Sequence, residues 1–161
     1  MQATGGLKVN EFWRPLLTNL LIESVKADDG ILIYLDTEEF RALFNWKRVV
    51  EEVQVIEPKF QVLKNGRLTT QAVWAKSCRG AMARYIIEER ITNPLQLANF
   101  NHCGFSLSDS PENSSTLHAL SLDHELSLGS TLGLHQAPNE EHPQQLAPQV
   151  LHLHFVAENP Q

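Results

Sequence analysis

Apolar residues recur at helical spacing near the start of the chain. Phe12, Leu16 and Leu20 stand at i, i+4 and i+8, and Leu17, Leu21 and Ile22 widen the stripe. Asn10-Glu11-Phe12-Trp13 opens this helix. Pro15 suits only a first turn, which moves the expected start towards Arg14. The helix should stop near Asp28-Asp29-Gly30, with Gly30 in the left-handed cap conformation. Ile31–Leu35 follows as an unbroken apolar run, the pattern of a strand buried on both faces. Asp36 or Thr37 then caps a short helix through Phe44, with Phe40, Leu43 and Phe44 on its buried side.

Val49–Ile56 reads as a strand closed by Pro58, with further strands at Phe60–Leu63 and Leu68–Trp74. Between the last two lies Lys64-Asn65-Gly66-Arg67. Asn-Gly accepts positive φ at both central turn positions, so a tight hairpin is expected. Ala75–Arg90 reads as a helix, with Met82, Tyr85 and Ile86 on one side. Asn93 can cap a second helix, Pro94 fits its first position, Gln96 sits where a capping-box residue belongs, and Leu95, Leu97 and Phe100 anchor it. Beyond Gly104 the pattern fades. Asp109–Ser115 is loop chemistry, residues 126–149 have no clear period, and Val150–Val156 alternates like a late strand. The whole reads as an α/β fold: a mixed sheet with flanking helices.

Charge sharpens this division. Residues 1–90 hold all 13 Lys and Arg against 12 acidic residues, whereas residues 91–161 hold none against 7. All seven His and six of the eight Pro also lie after residue 90. The expected organisation is an α/β domain over 1–105 and an acidic, His- and Pro-rich tail over 106–161. No stretch approaches the ~20 apolar residues of a membrane span. The N-terminus lacks the pattern of a secretory signal. Cys78 and Cys103 are too few for a disulfide framework, which favours a reducing, cytoplasmic setting.

Residues 8–105 resemble the YaaA-type peroxide stress proteins of bacteria. The pieces are Glu11-Phe12-Trp13, the strand Ile31–Leu35 with Asp36-Thr37-Glu38-Glu39-Phe40, Pro58-Lys59-Phe60, and Lys64-Asn65-Gly66. Most specific is Ala75–Arg90, followed by Ile91-Thr92-Asn93-Pro94-Leu95-Gln96-Leu97 and Phe100. The resemblance implies a cytoplasmic protein that helps cells survive hydrogen peroxide, keeps free iron low and protects DNA. It also implies DNA binding through a helix-hairpin-helix element, here 76–90, 91–94 and 95–100. The family chain is longer on its N-terminal side, so this chain would begin midway through it. The family pattern runs out near residue 120.

The candidate DNA-binding residues are Lys76, Arg79, Gly80, Arg84 and Arg90. On a helix continued to residue 90, Arg79 and Arg90 fall about 20° apart and share a face. Such side chains and a backbone turn can hold phosphates without reading bases. Against this, Arg84 can simply pair with Glu88, the turn 91–94 lacks glycine, and the acidic second half repels a duplex. Gly80, early in the helix, suggests close packing or approach of a ligand to the backbone.

Two other chemistries are open. His152 and His154 share a strand face and could chelate a metal with His135 or His142, although a polar strand face explains them too. Cys78, beside Lys76 and Arg79 near a helix start, is placed to have a lowered thiol pKa and to sense peroxide. These give the alternative to DNA contact: a metal- or thiol-based redox module, or an inactive fragment. Asp36, Glu38 and Glu39 follow a strand where α/β folds often bind ligands, and capping explains them equally. No phosphate loop, nucleophile elbow or paired-carboxylate motif is present, so no catalytic residue, metal or cofactor is expected.

Overall fold

The computed structural model describes residues 6, 8–131 and 150–157, with side chains described up to residue 121 and again from residue 150. These form two compact units. One comprises the chain up to Glu57 together with the start of the last strand. The other runs on from Pro58 and takes the rest of that strand from His152.

The first unit opens with α1, Val9–Ala27. The helix starts before Arg14 and carries Pro15 in its interior. Glu11 Oε2 accepts from the Lys8 N–H at 3.1 Å and secures the first turn. The face that α1 buries is Thr18, Ile22 and Val25. The stripe of Phe12, Leu16 and Leu20 points outwards instead, each residue more than 40% exposed. Thr18 makes burial of the other face possible. Its hydroxyl donates to the Arg14 carbonyl at 2.7 Å and accepts from the Asn45 N–H at 2.8 Å, so no polar atom is stranded. Gly30 ends the helix region with φ +76°, as its sequence context predicts.

Strand β1, Ile31–Ile33, is half-buried rather than buried on both faces. α2 is a short helix, Glu38–Arg41, and leaves Phe40 52% exposed, against expectation. The expected strand at Val49 is instead helical: α3 spans Trp46–Glu52, capped by Asn45 Oδ1. β2 runs from Gln54 to Lys64, straight through Pro58, and pairs in parallel with β1, Ile31 opposite Gln54. The core of this unit is Ile22, Val25, Tyr34, Val49, Val53 and Val55, with Phe44 and Trp46 against it.

In the second unit β2 continues to a hairpin with β3, Arg67–Thr69, in which Lys64 pairs with Arg67. Asn65 and Gly66 have φ of 53° and 72°, the two positive values that Asn-Gly predicts. β3 stops at Thr69 rather than running on to Trp74, because α4 begins at Ala72 and ends at Glu88. A 3-10 helix, Pro94–Asn99, precedes the antiparallel pair β4, Asn101–His102, and β5, Phe105–Leu107. α5 then spans Pro111–Thr131, where a loop is expected from residues 109–115. Ser110, Pro111 and Glu112 are an ordinary helix start, and Ser110 Oγ accepts from the Asn113 N–H at 3.2 Å. The late strand is β6, Val150–Ala157, antiparallel to β5. Strands of this unit lie in the order β2-β6-β5-β4. Residues 132–149, most of the stretch without clear period, lie outside the described residues.

The core of the second unit is aromatic. The Phe60 ring lies 5.4 Å from Phe155 and 5.9 Å from both Phe100 and Phe105. All four are essentially buried. Each such ring contributes roughly 1.5–3 kcal/mol by burial. No described helix is long and apolar enough to cross a membrane.

Candidate functional site

α4 buries Ala75, Cys78 and Met82, which leaves the opposite face to solvent. At 100° per residue that outer face carries Lys76, Gly80 and Arg84. Lys76 and Arg84 are exposed, as is Gly80, where an added Cβ would meet nothing within 4 Å. Close packing therefore does not account for Gly80. Arg79 lies further round the helix and is half-buried. Arg84 Nε sits 3.8 Å from Glu88 Oε1, and both side chains are largely exposed. Such a pair is worth little and opens readily.

Arg90 departs from its expected position. α4 ends at Glu88, Glu89 caps it, and Arg90 has φ +50°. The Ile91 N–H reaches back to the Ile86 carbonyl at 3.0 Å and the Arg90 N–H to Ile87 at 3.3 Å. This is a Schellman ending with arginine where glycine usually stands. The helical 20° relation of Arg79 and Arg90 therefore does not hold. Because an L-residue is strained at this φ, Arg90→Gly should raise stability by about 1 kcal/mol, read as an upward shift in thermal midpoint. An unchanged or lower midpoint would show that the side chain makes up the strain.

The turn after α4 is built as its residues suggest: Asn93 Oδ1 accepts from the Leu95 N–H at 2.9 Å, and Pro94 takes the first position. The element that this turn opens is six residues of 3-10 helix, not a second α-helix. A helix-hairpin-helix over 76–100 is thus not seen. Leu97 and Phe100 are buried as anchors.

Beside α4 the structure opens a cavity of about 390 Å³ between Gly80, Arg84, Tyr85 and Glu88 on the helix and His102 and Cys103 at the β4–β5 turn. Tyr85 and His102 form its aromatic wall, their centroids 5.7 Å apart, and buried Phe100 packs behind both rings at 5.7 and 5.1 Å. The Tyr85 hydroxyl donates to the Gln96 carbonyl at 3.3 Å, fixing the ring. Tyr85, His102 and Cys103 are absent from the sequence-derived set. The signal was present in Cys103-Gly104, which turn with φ of 56° and 76°.

Cys78 is not the activated thiol that its neighbours suggest. It is fully buried, and burial first, then the neighbouring Cys103, pushes its pKa up to about 12. Cys103 is exposed. Iodoacetamide at neutral pH should therefore alkylate Cys103 and spare Cys78 until the chain unfolds. Equal rates in the folded protein would contradict the burial.

His152 and His154 do share a face, with ring centroids 6.4 Å apart. Both nitrogens of His154 are engaged, Nδ1 with Gln61 Oε1 at 3.1 Å and Nε2 with Glu112 Oε2 at 3.0 Å. No cluster able to hold a metal ion occurs among the described residues. His135 and His142 lie outside them.

The family profile of the peroxide stress protein YaaA matches residues 1–110. The chain belongs to the YaaA peroxide stress family. It is 48% identical over 118 residues to a UPF0246 protein of Phocaeicola vulgatus, which is 73% of this chain and 46% of that relative. A UPF0246 protein of Bacteroides fragilis is 43% identical over 105 residues, 65% of this chain and 41% of its own length. One of Neisseria meningitidis is 35% identical over 111 residues, 68% and 42% respectively. The chain thus spans less than half the length of these YaaA-family relatives. The matched region contains α4, its outer basic face and the cavity beside it.

Proposed function

We propose that this chain serves the peroxide-stress role of the YaaA family by holding the phosphate backbone of DNA, without base readout, on the outer face of α4. Lys76 and Arg84 are the principal contacts, Gly80 lets the backbone of a duplex approach the helix, and Arg79 and Arg90 flank them. The observation that carries this reading is the joint exposure of Lys76, Gly80 and Arg84 on one helix face with open space above the glycine. A cation pair alone is a solvated surface. A cation pair astride a bare helix backbone admits a phosphodiester closely. Bound this way, the protein would cover DNA against damage linked to free iron.

The test is fluorescence anisotropy with linear and branched duplexes. Affinity should fall steeply between ~50 and ~200 mM salt, because each neutralised phosphate releases counterions. K76A and R84A should each reduce the salt slope by about one and weaken binding alike on all sequences. No binding at ~50 mM salt, or binding unaffected by both substitutions, would refute it.

A further inference from the structure

Among the described residues, none forms a layer over the outward face of α1. Val9, Phe12, Trp13, Leu16 and Leu20 are 41–51% exposed. At 100° per residue they fall within about a 100° arc, one continuous stripe some 16 Å long. The Phe12 and Trp13 rings meet edge to face at 5.2 Å, which joins them into one aromatic patch within the stripe. Single exposed apolar residues are common, but a stripe of five large ones marks a contact surface. A second observation lies in the same unit. β1 is the end strand of the order, an apolar Ile31-Leu32-Ile33 paired in parallel on one side only among the described residues. Parallel strands are ordinarily covered, and an open apolar edge invites another strand.

We propose that this unit is a docking surface for the part of the YaaA-family chain that lies outside the matched region. That part supplies an apolar layer across α1 and a strand beside β1. The lengths favour this occupant. The match to the Phocaeicola vulgatus relative covers 46% of it, so more than half of that chain must pack somewhere. A second copy of this chain could cover the α1 stripe. It would bring its own open β1 edge as well, and is therefore the competing occupant that the experiment separates from this one. The proposal is independent of DNA binding by α4.

The experiment co-expresses this chain with the unmatched part of the Phocaeicola vulgatus relative as a separate polypeptide. A one-to-one complex is expected by sedimentation. Because Trp46 and Trp74 also emit, the Trp13 signal is read as the difference between the parent chain and W13F, and that difference should shift to the blue and lose most of its quenching by acrylamide in the complex. The pair L16E and L20E should weaken the complex at least about 100-fold, as charges in a desolvated contact do. Because both leucines face outwards, the far-UV spectrum and thermal midpoint of this chain alone should hold. A homodimer dissociated by L16E and L20E, or a complex indifferent to them, would overturn the proposal. If the separate part does not fold, the two are joined in one polypeptide, and a Trp13 still open to acrylamide there would overturn it as well.

Discussion

Asn113→Asp should destabilise the protein by about 3 kcal/mol or more at pH 7, and more than Asn113→Ala does. Asn113 is 2% exposed at the start of α5. Its Nδ2 donates to the Ser108 carbonyl at 2.7 Å and the His154 carbonyl at 2.9 Å, while its Oδ1 accepts from the His154 N–H at 2.7 Å. One amide thus ties α5, the segment after β5, and β6, across 41 residues of chain. Alanine leaves the Ser108 carbonyl and the His154 N–H without that partner, while the His154 carbonyl keeps the Ser108 N–H at 2.9 Å, a loss of about 2–6 kcal/mol at 1–3 kcal/mol per buried group. Aspartate is isosteric but donates nothing. Its oxygens face carbonyl oxygens and bury a charge. The folded state therefore favours the protonated acid, and the pKa of the introduced carboxyl rises above its unfolded ~3.9. A raised folded pKa means full stability below the unfolded value and loss as pH climbs through the folded one. Urea unfolding at pH 7 and pH 4.5 should show the D variant recovering on acidification and the A variant indifferent. Two variants that behave alike at both pH values would show that water reaches this amide.

Glu57→Ala should cost about 2–3 kcal/mol, somewhat less than the loss of a partner in a fully buried pair. Arg41 lies over the rings of Trp46 and Tyr34, its guanidinium carbon 4.6 Å and 4.9 Å from their centroids. Its Nη2 meets Glu57 Oε1 at 2.8 Å, and its Nη1 meets Glu38 at 3.1 Å. The exposures separate the two acids: the Glu57 side chain is 12% exposed and that of Glu38 75%. Removing Glu38 should therefore change stability by at most ~0.5 kcal/mol. The phenol of Tyr34 reports on the same cluster. Burial raises its pKa above 10, and Arg41 opposes that rise. Stability from Tyr34 is fully present below pH 10 and fades as pH rises through the raised value. Ultraviolet titration should find the Tyr34 pKa higher still in Arg41→Ala, provided that variant folds. Equal costs for Glu57→Ala and Glu38→Ala would show that the pair is solvated.

Neither cluster was visible as such in the chain. Arg41 and Glu57 stand 16 residues apart, and Asn113 and His154 stand 41 apart. Only the fold brings them together, because side-chain hydrogen bonds carry no periodic signal. Local chemistry fared better. Asn65-Gly66 and Gly30 took positive φ because few other residues reach that region without a Cβ clash. Asn93-Pro94 started its helix with a capping oxygen and a proline whose missing N–H is not needed there. The errors came where propensity competes with packing. Val49 is β-branched, yet Asn45 caps a helix around it and the core takes it fully. Phe12, Leu16 and Leu20 form an apolar stripe that does not face this chain's core, since periodicity says which residues share a face and not what lies against it.

For the candidate site the division is the same. The sequence located the basic helix and put Lys76, Gly80 and Arg84 on it, since helical spacing follows from 3.6 residues per turn. It could not place Arg90, whose left-handed φ follows from where α4 stops. It misjudged Cys78, because nearby cations in sequence lower a thiol pKa only if water or charge reaches the sulfur. Turn chemistry, helix spacing and family membership were thus fixed by residues near one another in the chain. Burial, ion pairing and the cavity at Tyr85, His102 and Cys103 depended on distant segments meeting, and desolvation, which sets their energies, exists only once they have met.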